Sequence, residues 1–122
     1  MPAKKQILIC DDQEGIRESL NLILSNHYDV DLTANAIEAI DYLNTKPTPD
    51  LICLDIKMPK VDGLEALKQI KKRHPDIKVL IITGYQSVEI ASEAIKIGAS
   101  GYIVKPFVAD EILTIVHETL SK

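Results

Sequence analysis

Residues 51–63 contain the feature that most constrains the fold, a short apolar run that stops at an aspartate. The run Leu51–Leu54 is too short for a helix and has no polar alternation, which predicts a strand buried on both faces, as in a parallel sheet. Pro59 and the Asp62-Gly63 pair cannot continue a strand and indicate a loop. Asp55 therefore lies at the carboxyl end of a buried strand, where open α/β sheets bind ligands. Taken alone, Asp55 fits either a functional role or a cap for the loop or the next helix.

The length and composition indicate one domain, which we expect to span residues 1–122. With 46% apolar and 26% charged residues, the chain resembles a soluble globular protein, and no apolar stretch is long enough for a membrane span. Its first residues are too polar for a signal peptide, which predicts a cytoplasmic protein without a membrane partner. The net charge of −4 disfavours direct binding of nucleic acid. Cys10 and Cys53 lie in strand-like runs, so we expect buried, reduced thiols.

Apolar periodicity predicts five strands that alternate with five helices. Short apolar runs predict strands over residues 7–10, 51–54 and 78–82, and a shorter strand over residues 102–104. The alternating segment 28–33 predicts an edge strand. Helical spacing predicts helices over about 13–26, 36–43, 64–73, 87–97 and 112–120. Arg17 is predicted on the polar outer face of the first helix. The alternation predicts a parallel sheet with helices on both faces, joined by right-handed crossovers.

Reactive side chains follow four of the predicted strands. They are the pair Asp11-Asp12, then Asp55, Thr83 and Lys105. Because the carboxyl ends of parallel strands share one edge of a sheet, these groups should meet there. Clustered carboxylates suit a hard cation such as Mg²⁺, and Lys105 and Thr83 can bind the oxygens of a phosphoryl group. An aspartate that faces a metal ion and an ammonium group is arranged to attack phosphorus.

With these motifs in order, the sequence resembles the receiver domains of bacterial two-component response regulators over its whole length. The matching segments are Asp11-Asp12, residues 55–63, Thr83-Gly84 and residues 101–107. The resemblance implies a flavodoxin-like, doubly wound (βα)5 fold with strand order 2-1-3-4-5 and the acidic pocket at its topological switch point. Within that family it most resembles single-domain phosphorelay regulators of the sporulation type, and it is similar to nitrogen-regulator-type receivers as well. The chain is either a stand-alone receiver or a part of a longer protein.

The same resemblance implies a role for each matching residue. Asp55 would accept a phosphoryl group from the phosphohistidine of a sensor histidine kinase or a histidine phosphotransfer protein. Mg²⁺ would be bound directly by Asp12 and Asp55, through water by Asp11, and by the backbone carbonyl of Lys57. Thr83 and Lys105 would bind phosphoryl oxygens, and the Lys105–Pro106 bond would be cis. Such a domain is a phosphoacceptor that dephosphorylates itself slowly, not an enzyme in the usual sense.

Two surfaces are expected around this pocket. Thr83 and the switch aromatic Tyr102 would relay phosphorylation to the fourth helix, the fifth strand and the fifth helix, a face that self-association or an output domain would use. The phosphohistidine donor would dock on Ile16, Ser19, Tyr85, Pro106 and Phe107. For Ile16 a pure core role is equally open, and Phe107 has the alternative of packing against the fifth helix.

The fourth helix has a wider apolar arc than one buried face needs. We predict that Val88, Ala91 and Ile95 face the sheet. Ile90 and Ile97 would then stay partly exposed, either in contact with a neighbouring helix or as part of the output surface.

Three further positions carry local predictions. Gly84 stands where relatives often have alanine, which predicts a phosphoryl site more open to water. Val108 stands where many relatives have a capping aspartate, so we expect the fifth helix to fray or to begin near Asp110. Asp62 is expected to cap the third helix.

Three other functions share parts of this pattern. A haloacid-dehalogenase-like phosphatase needs a second aspartate two residues after the nucleophile, where this chain has Lys57. A flavin-binding domain needs N–H and hydroxyl donors after the first strand, where the acidic residues 11–14 would repel its phosphate. A module that signals without phosphorylation is the main alternative, although all five reactive positions are filled.

Overall fold

The central strand is buried on both faces, as its uninterrupted apolar sequence predicts. In the computed structural model, which describes residues 4–58 and 62–122, every residue of β3 (Leu51–Leu54) is buried. It pairs in parallel with β1 (Gln6–Cys10) and β4 (Lys78–Thr83), while β2 (Asp29–Thr33) and β5 (Gly101–Val104) form the edges. The strand order is 2-1-3-4-5, so the predicted flavodoxin-like fold is confirmed. Residues 1–3 and the predicted loop residues 59–61 lie outside the described residues.

Within that part of the chain, five helices cover the two faces of the sheet. α1 (Glu14–Leu24) and α5 (Ala109–Leu120) pack on one face, which we call the α1–α5 layer. α2 (Ala36–Thr45), α3 (Gly63–Arg73) and α4 (Val88–Ile97) pack on the other, which we call the α2–α4 layer. Because side chains alternate along a strand, Cys10 joins the α2–α4 layer and Cys53 the α1–α5 layer. Both thiols are free, and burial raises the pKa of each to about 12, which keeps them protonated and unreactive.

The buried face of α4 differs from the predicted one. Ala94 is fully buried, and Ile90 and Ile97 pack against the α2–α4 layer. Val88 and Ile95, predicted to face the sheet, are 82% and 49% exposed. The predicted direction of Val88 and Ile95 is therefore wrong, by about a third of a turn at 100° per residue, whereas Ile90 and Ile97 remain partly exposed, as predicted. The reason is that half of the circumference is apolar, and the small Ala94 side chain is what allows the helix axis to approach the sheet.

The helix ends follow the local sequence closely. Asp62 caps α3 as predicted, accepting hydrogen bonds from the N–H groups of Leu64 and Glu65 at 3.1 and 3.2 Å. Val108 provides no side-chain cap for α5, also as predicted, but the helix begins at Ala109, one residue before the expected start. A backbone hydrogen bond of 3.2 Å from Ile112 to the Val108 carbonyl closes its first turn. Among the described residues, no helix combines the length and the apolar character that crossing a membrane requires.

Candidate functional site

Backbone pairing past the ends of the strands brings the reactive residues together. The N–H of Asp11 donates to the Thr33 carbonyl at 3.1 Å, and that of Asp55 to the Cys10 carbonyl at 2.9 Å. The N–H of Lys105 donates to the Thr83 carbonyl at 2.8 Å, and the Lys105–Pro106 bond is cis, as expected. The predicted meeting of these groups at one sheet edge is thus what the structure shows.

Lys105 lies between two buried carboxylates. Its Nζ is 2.7 Å from Asp11 Oδ2 and 3.0 Å from Asp55 Oδ2, and these two carboxylates are 2% and 3% exposed. The other oxygen of each carboxylate accepts a backbone N–H: Asp11 Oδ1 from Gln13 at 2.9 Å, and Asp55 Oδ1 from Lys57 at 2.8 Å. Each carboxylate is therefore fixed by one amide and by the shared ammonium group.

Burial and the shared ammonium group shift two pKa values in this triangle. Burial raises the pKa of Asp11, and the charge of Asp55 adds to the rise, while the hydrogen bonds from Lys105 and Gln13 oppose it. For Lys105, burial alone would lower the pKa, but hydrogen bonds and charge attraction from Asp11 and Asp55 outweigh it and raise the pKa. The two carboxylates thus repel each other and share one counter-charge, so they can accommodate a further cation.

The third carboxylate of the cluster belongs to Asp12, whose side chain is exposed. Oxygens of Asp11, Asp12 and Asp55 all lie within 4.8 Å of one another, close enough to share a metal ion. Oxygen ligands of this kind are those that Mg²⁺ prefers. The donor set therefore fits the predicted ion.

Thr83 and Tyr102 meet at the backbone of Tyr85. The Thr83 hydroxyl is fully buried, and the Tyr85 N–H donates to it at 3.5 Å. The Tyr102 hydroxyl donates to the Tyr85 carbonyl at 2.9 Å, and the ring packs against the α2–α4 layer. Burial raises the pKa of Tyr102, and the Asp55 charge adds to it. The two residues predicted to form the switch are therefore linked through a single loop residue.

An open cleft of about 710 Å³ leads to Asp55. Of the five predicted docking residues, Ile16, Tyr85 and Pro106 line it. Ile16 also packs against the α1–α5 layer, so its position is compatible with a core role as well as with the predicted docking role. Ser19 is exposed on α1 but does not line the cleft, and Phe107 packs against the α1–α5 layer, as its alternative predicted.

The mouth of this cleft is unobstructed beside Gly84. A Cβ at this position would have Lys57 Cδ, at 3.7 Å, as its nearest neighbour, which is an ordinary contact. Lys57 and Tyr85 both line the cleft, and the Lys57 ammonium lies 5.3 Å from the centre of the Tyr85 ring. Alanine would therefore fit at position 84 without strain, and glycine leaves that space to water.

Gly63 brings the start of α3 against the residue that follows Asp55. A Cβ at Gly63 would overlap the backbone of Ile56. Any larger residue would have to push α3 away from this segment, so the close approach requires glycine here.

Sequence reasoning missed two residues of the site. The Gln13 side chain accepts a hydrogen bond from Lys105 Nζ at 3.1 Å through its Oε1. Arg17, predicted on the outer face of α1, is half-buried and donates to the Asp11 carbonyl at 2.8 Å. The proximity of Gln13 to the acidic pair was a usable signal, whereas nothing in the helical periodicity shows that Arg17 turns back toward the loop.

Comparison with known families matches residues 7–117 to the response regulator receiver domain. The chain belongs to this family. It is 40% identical over 117 residues to sporulation initiation phosphotransferase F of Bacillus subtilis, an alignment that covers 95% of this chain and 94% of that protein. It is 36% identical over 123 residues to response regulator MprA of a Mycobacterium species, and here the chain spans 52% of the relative.

Solved receiver structures share the fold of this receiver domain. A CheY-like receiver from Methanospirillum hungatei has a TM-score of 0.92 at 33% identity, with 98% of this chain and 95% of the other covered. The receiver domain of NtrX from Brucella abortus has a TM-score of 0.87 at 35% identity, with 95% and 98% covered. Receiver domains are phosphoacceptors of two-component and phosphorelay systems that take phosphate from histidine kinases or phosphotransfer proteins. Membership of this family removes the dehalogenase-like and flavin-binding alternatives.

Proposed function

We propose that this receiver domain accepts a phosphoryl group on Asp55, with Mg²⁺, from the phosphohistidine of a sensor kinase or a histidine phosphotransfer protein. The observation that carries the proposal is the Lys105 ammonium group, 2.7 Å from Asp11 and 3.0 Å from Asp55. It lies beside the proposed nucleophile, where the charge of a phosphoryl oxygen would develop.

The acidic cluster would hold the metal ion. We assign Asp12 and Asp55 as direct ligands, Asp11 as a ligand through water, and the backbone carbonyl of Lys57 as the remaining protein ligand. Oxygens of the three carboxylates lie within 4.8 Å of one another, which supports this assignment. The bound ion would neutralise negative charge on the phosphoryl oxygens.

The chemical step needs little beyond orientation and charge. One Asp55 oxygen attacks phosphorus and forms an O–P bond as the P–N bond to the donor imidazole breaks, and the imidazole leaves with the electron pair. The Lys57 N–H, 2.8 Å from Asp55 Oδ1, fixes the orientation of the carboxylate. Lys105 and Thr83 then bind phosphoryl oxygens. Later attack by water on phosphorus releases inorganic phosphate and restores the Asp55 carboxylate.

Phosphorylation would be relayed by Thr83. When the phosphoryl group draws the Thr83 hydroxyl, the contact with the Tyr85 N–H, already long at 3.5 Å, is lost. The Tyr85 carbonyl holds the Tyr102 hydroxyl, so movement of this loop shifts Tyr102 and with it the surface of α4, β5 and α5. That surface would contact an output domain or a second copy.

The phosphohistidine donor would dock around the cleft. Ile16, Tyr85 and Pro106 line the cleft and supply apolar groups. Ser19 and Phe107, which do not line it, would contribute only if the donor extended beyond the cleft. The protein would work in the cytoplasm, with neither a membrane nor nucleic acid as a direct partner.

Phosphorylation by a small donor tests the proposal. Wild-type protein incubated with acetyl phosphate and Mg²⁺ should gain one base-labile phosphoryl group, seen by intact-protein mass spectrometry. Asp55→Asn should gain none, and neither should wild type in EDTA. Asp76→Asn, which removes an exposed aspartate outside the Asp55 cleft, is the matched control and should label normally. Undiminished labelling of Asp55→Asn would refute the assignment, and an unlabelled wild type would favour a module that signals without phosphorylation.

A further inference from the structure

Arg17 reaches back from the second turn of α1 to the loop that carries the acidic pair. Its Nη1 donates a hydrogen bond of 2.8 Å to the Asp11 carbonyl. Its backbone N–H donates to the Gln13 carbonyl at 3.0 Å. The side chain is half-buried and does not line the cleft. Arg17 thus ties the first turns of the helix to the end of β1.

The start of α1 lacks the usual means of fixing such a loop. Gln13 occupies the N-cap position, but its side chain makes no capping hydrogen bond. Instead, its Oε1 accepts from Lys105. Because the first N–H groups of a helix have no partners within the helix, an uncapped start is less well fixed. The hydrogen bond from Arg17 to Asp11 leaves the free helix N–H groups unpaired, but it ties the uncapped start of α1 to the loop.

The direction of the Asp12 side chain depends on the backbone of the loop between β1 and α1. Asp11 is held at every polar group: its N–H by Thr33, its carboxylate by Gln13 and Lys105, and its carbonyl by Arg17. Among the described residues, no side-chain hydrogen bond or ion pair holds the exposed carboxylate of Asp12. The backbone between Asp11 and Gln13 therefore decides whether that carboxylate points toward Asp55.

We infer that Arg17 is a positioning residue for metal binding, which holds the Asp11 carbonyl so that the Asp12 carboxylate stays directed into the acidic cluster. The inference rests on the proposed function, because it needs Asp12 to be a Mg²⁺ ligand. The charge of Arg17 would act in the opposite sense, since a nearby cation repels Mg²⁺. The direction of the change in affinity therefore separates positioning from charge.

Titration of the metal-free protein with MgCl₂, followed by amide chemical shifts, tests the inference. Arg17→Ala should weaken Mg²⁺ binding about tenfold, the lower end of the effect of losing a group that orients a metal ligand. Arg17→Lys, which can still donate one hydrogen bond to the carbonyl, should recover most of the affinity. Amide hydrogen exchange of Asp12 and Gln13 in metal-free Arg17→Ala should be faster than in wild type. Arg73→Ala, which removes the same side chain from the exposed end of α3, is the matched control.

Equal or tighter Mg²⁺ binding by Arg17→Ala, at a wild-type free energy of unfolding in urea, overturns the positioning role. Should Arg17→Ala fold poorly, Arg17→Met keeps the length of the side chain without a donor, and weaker Mg²⁺ binding with faster exchange in Arg17→Met, restored in Arg17→Lys, would support the role. Loss of affinity in both, despite intact folding and exchange, would contradict it. A wild type that binds no Mg²⁺ refutes the proposed function as well, whereas a wild type that binds normally beside an unaffected Arg17→Ala refutes this inference alone.

Discussion

At the scale of single residues, the site is a balance among buried charges. The two neighbouring carboxylates stabilise the charged form of Lys105, which is why its pKa is raised. For Asp11, burial raises the free energy of the charged carboxylate, and repulsion by Asp55 raises it further. The single ammonium group that the two carboxylates share does not offset these effects, so the charge of Asp11 is unfavourable. The fold therefore keeps an acidic cluster that costs stability until a cation arrives.

Removing the Asp11 charge should stabilise the metal-free protein. Because the folded-state pKa of Asp11 is raised above its ordinary value of 3.8, its ionised form favours the unfolded chain at neutral pH. Asp11→Asn should raise the free energy of unfolding at pH 7 by about 1 kcal/mol, a common gain when a functional site is relieved of strain. The gain should shrink as the pH falls through the raised pKa and vanish below pH 3.8. Urea unfolding in EDTA across this pH range measures it, and a gain that grows toward low pH would contradict the assigned sign.

Lys105 should compete with Mg²⁺. Its ammonium group occupies one oxygen of Asp11 and one of Asp55, and it repels a second cation. Lys105→Met should therefore tighten Mg²⁺ binding about tenfold, a change of about 1.4 kcal/mol, well within the few kcal/mol of a partly screened charge pair at this distance. Lys96→Met, on the exposed face of α4, should leave the affinity unchanged. Weaker binding by Lys105→Met in a magnesium titration would show that the ammonium group does not compete for the cluster.

At the scale of elements, strand ends were predictable and helix faces were less so. A run such as Leu51–Leu54 has only one way to be buried, so the position of Asp55 followed from it. In α4, apolar residues cover half of the circumference, so the hydrophobic pattern leaves several rotations about the axis equally favourable. Packing of Ala94 against the sheet selects one of them, and such a fit depends on the neighbouring elements.

The rotation of α4 changes which residues belong to the proposed output surface. Val88→Ser with Ile95→Ser should leave the free energy of unfolding within about 0.5 kcal/mol of wild type, because both side chains are exposed, and should weaken self-association or output binding. Ile90→Ser with Ile97→Ser should cost about 2 kcal/mol or more, because these residues pack against the α2–α4 layer. Urea unfolding and sedimentation of the phosphorylated protein distinguish the two pairs. Equal destabilisation by both would contradict the observed orientation of the helix.

α5 offers a simple gain in stability. Val108 is 66% exposed at the N-cap position and makes no capping hydrogen bond. Val108→Asp should raise the free energy of unfolding by about 1 kcal/mol, because an aspartate can accept from the free N–H groups of the first turn and favours the positive end of the helix dipole. Val108→Ala, which removes the valine without adding a cap, should gain little. Thermal or urea unfolding of both variants at neutral pH decides the matter.

At the scale of the whole molecule, the order of strands explains why one edge carries the chemistry. β1 and β3 are neighbours at the point where the chain changes its direction of winding, and Asp11 and Asp55 follow these two strands. Alternation of strands and helices predicts a parallel sheet, but the order 2-1-3-4-5 came from the family resemblance. Thr83 and Lys105 were predictable for the same reason as Asp55, since each follows a short strand. The long reach of Arg17 depends on a rotamer that only the packed site selects.

The same arrangement places Ile16 where core and partner surface meet. Its side chain packs against the α1–α5 layer and also lines the cleft to Asp55. Ile16→Ala should lower the free energy of unfolding by about 1 to 2 kcal/mol, since the residue is only half-buried. It should slow phosphotransfer from a phosphorylated histidine protein about tenfold, as expected for an apolar contact at the centre of an interface. Labelling by acetyl phosphate, which needs no docking surface, should keep its rate.

Leu24→Ala, which truncates a fully buried residue of the same helix away from the cleft, should cost more stability yet leave both rates unchanged while the protein is folded. If Ile16→Ala is phosphorylated at the wild-type rate by the histidine protein as well as by acetyl phosphate, the docking surface lies elsewhere on the domain and Ile16 is a purely structural residue.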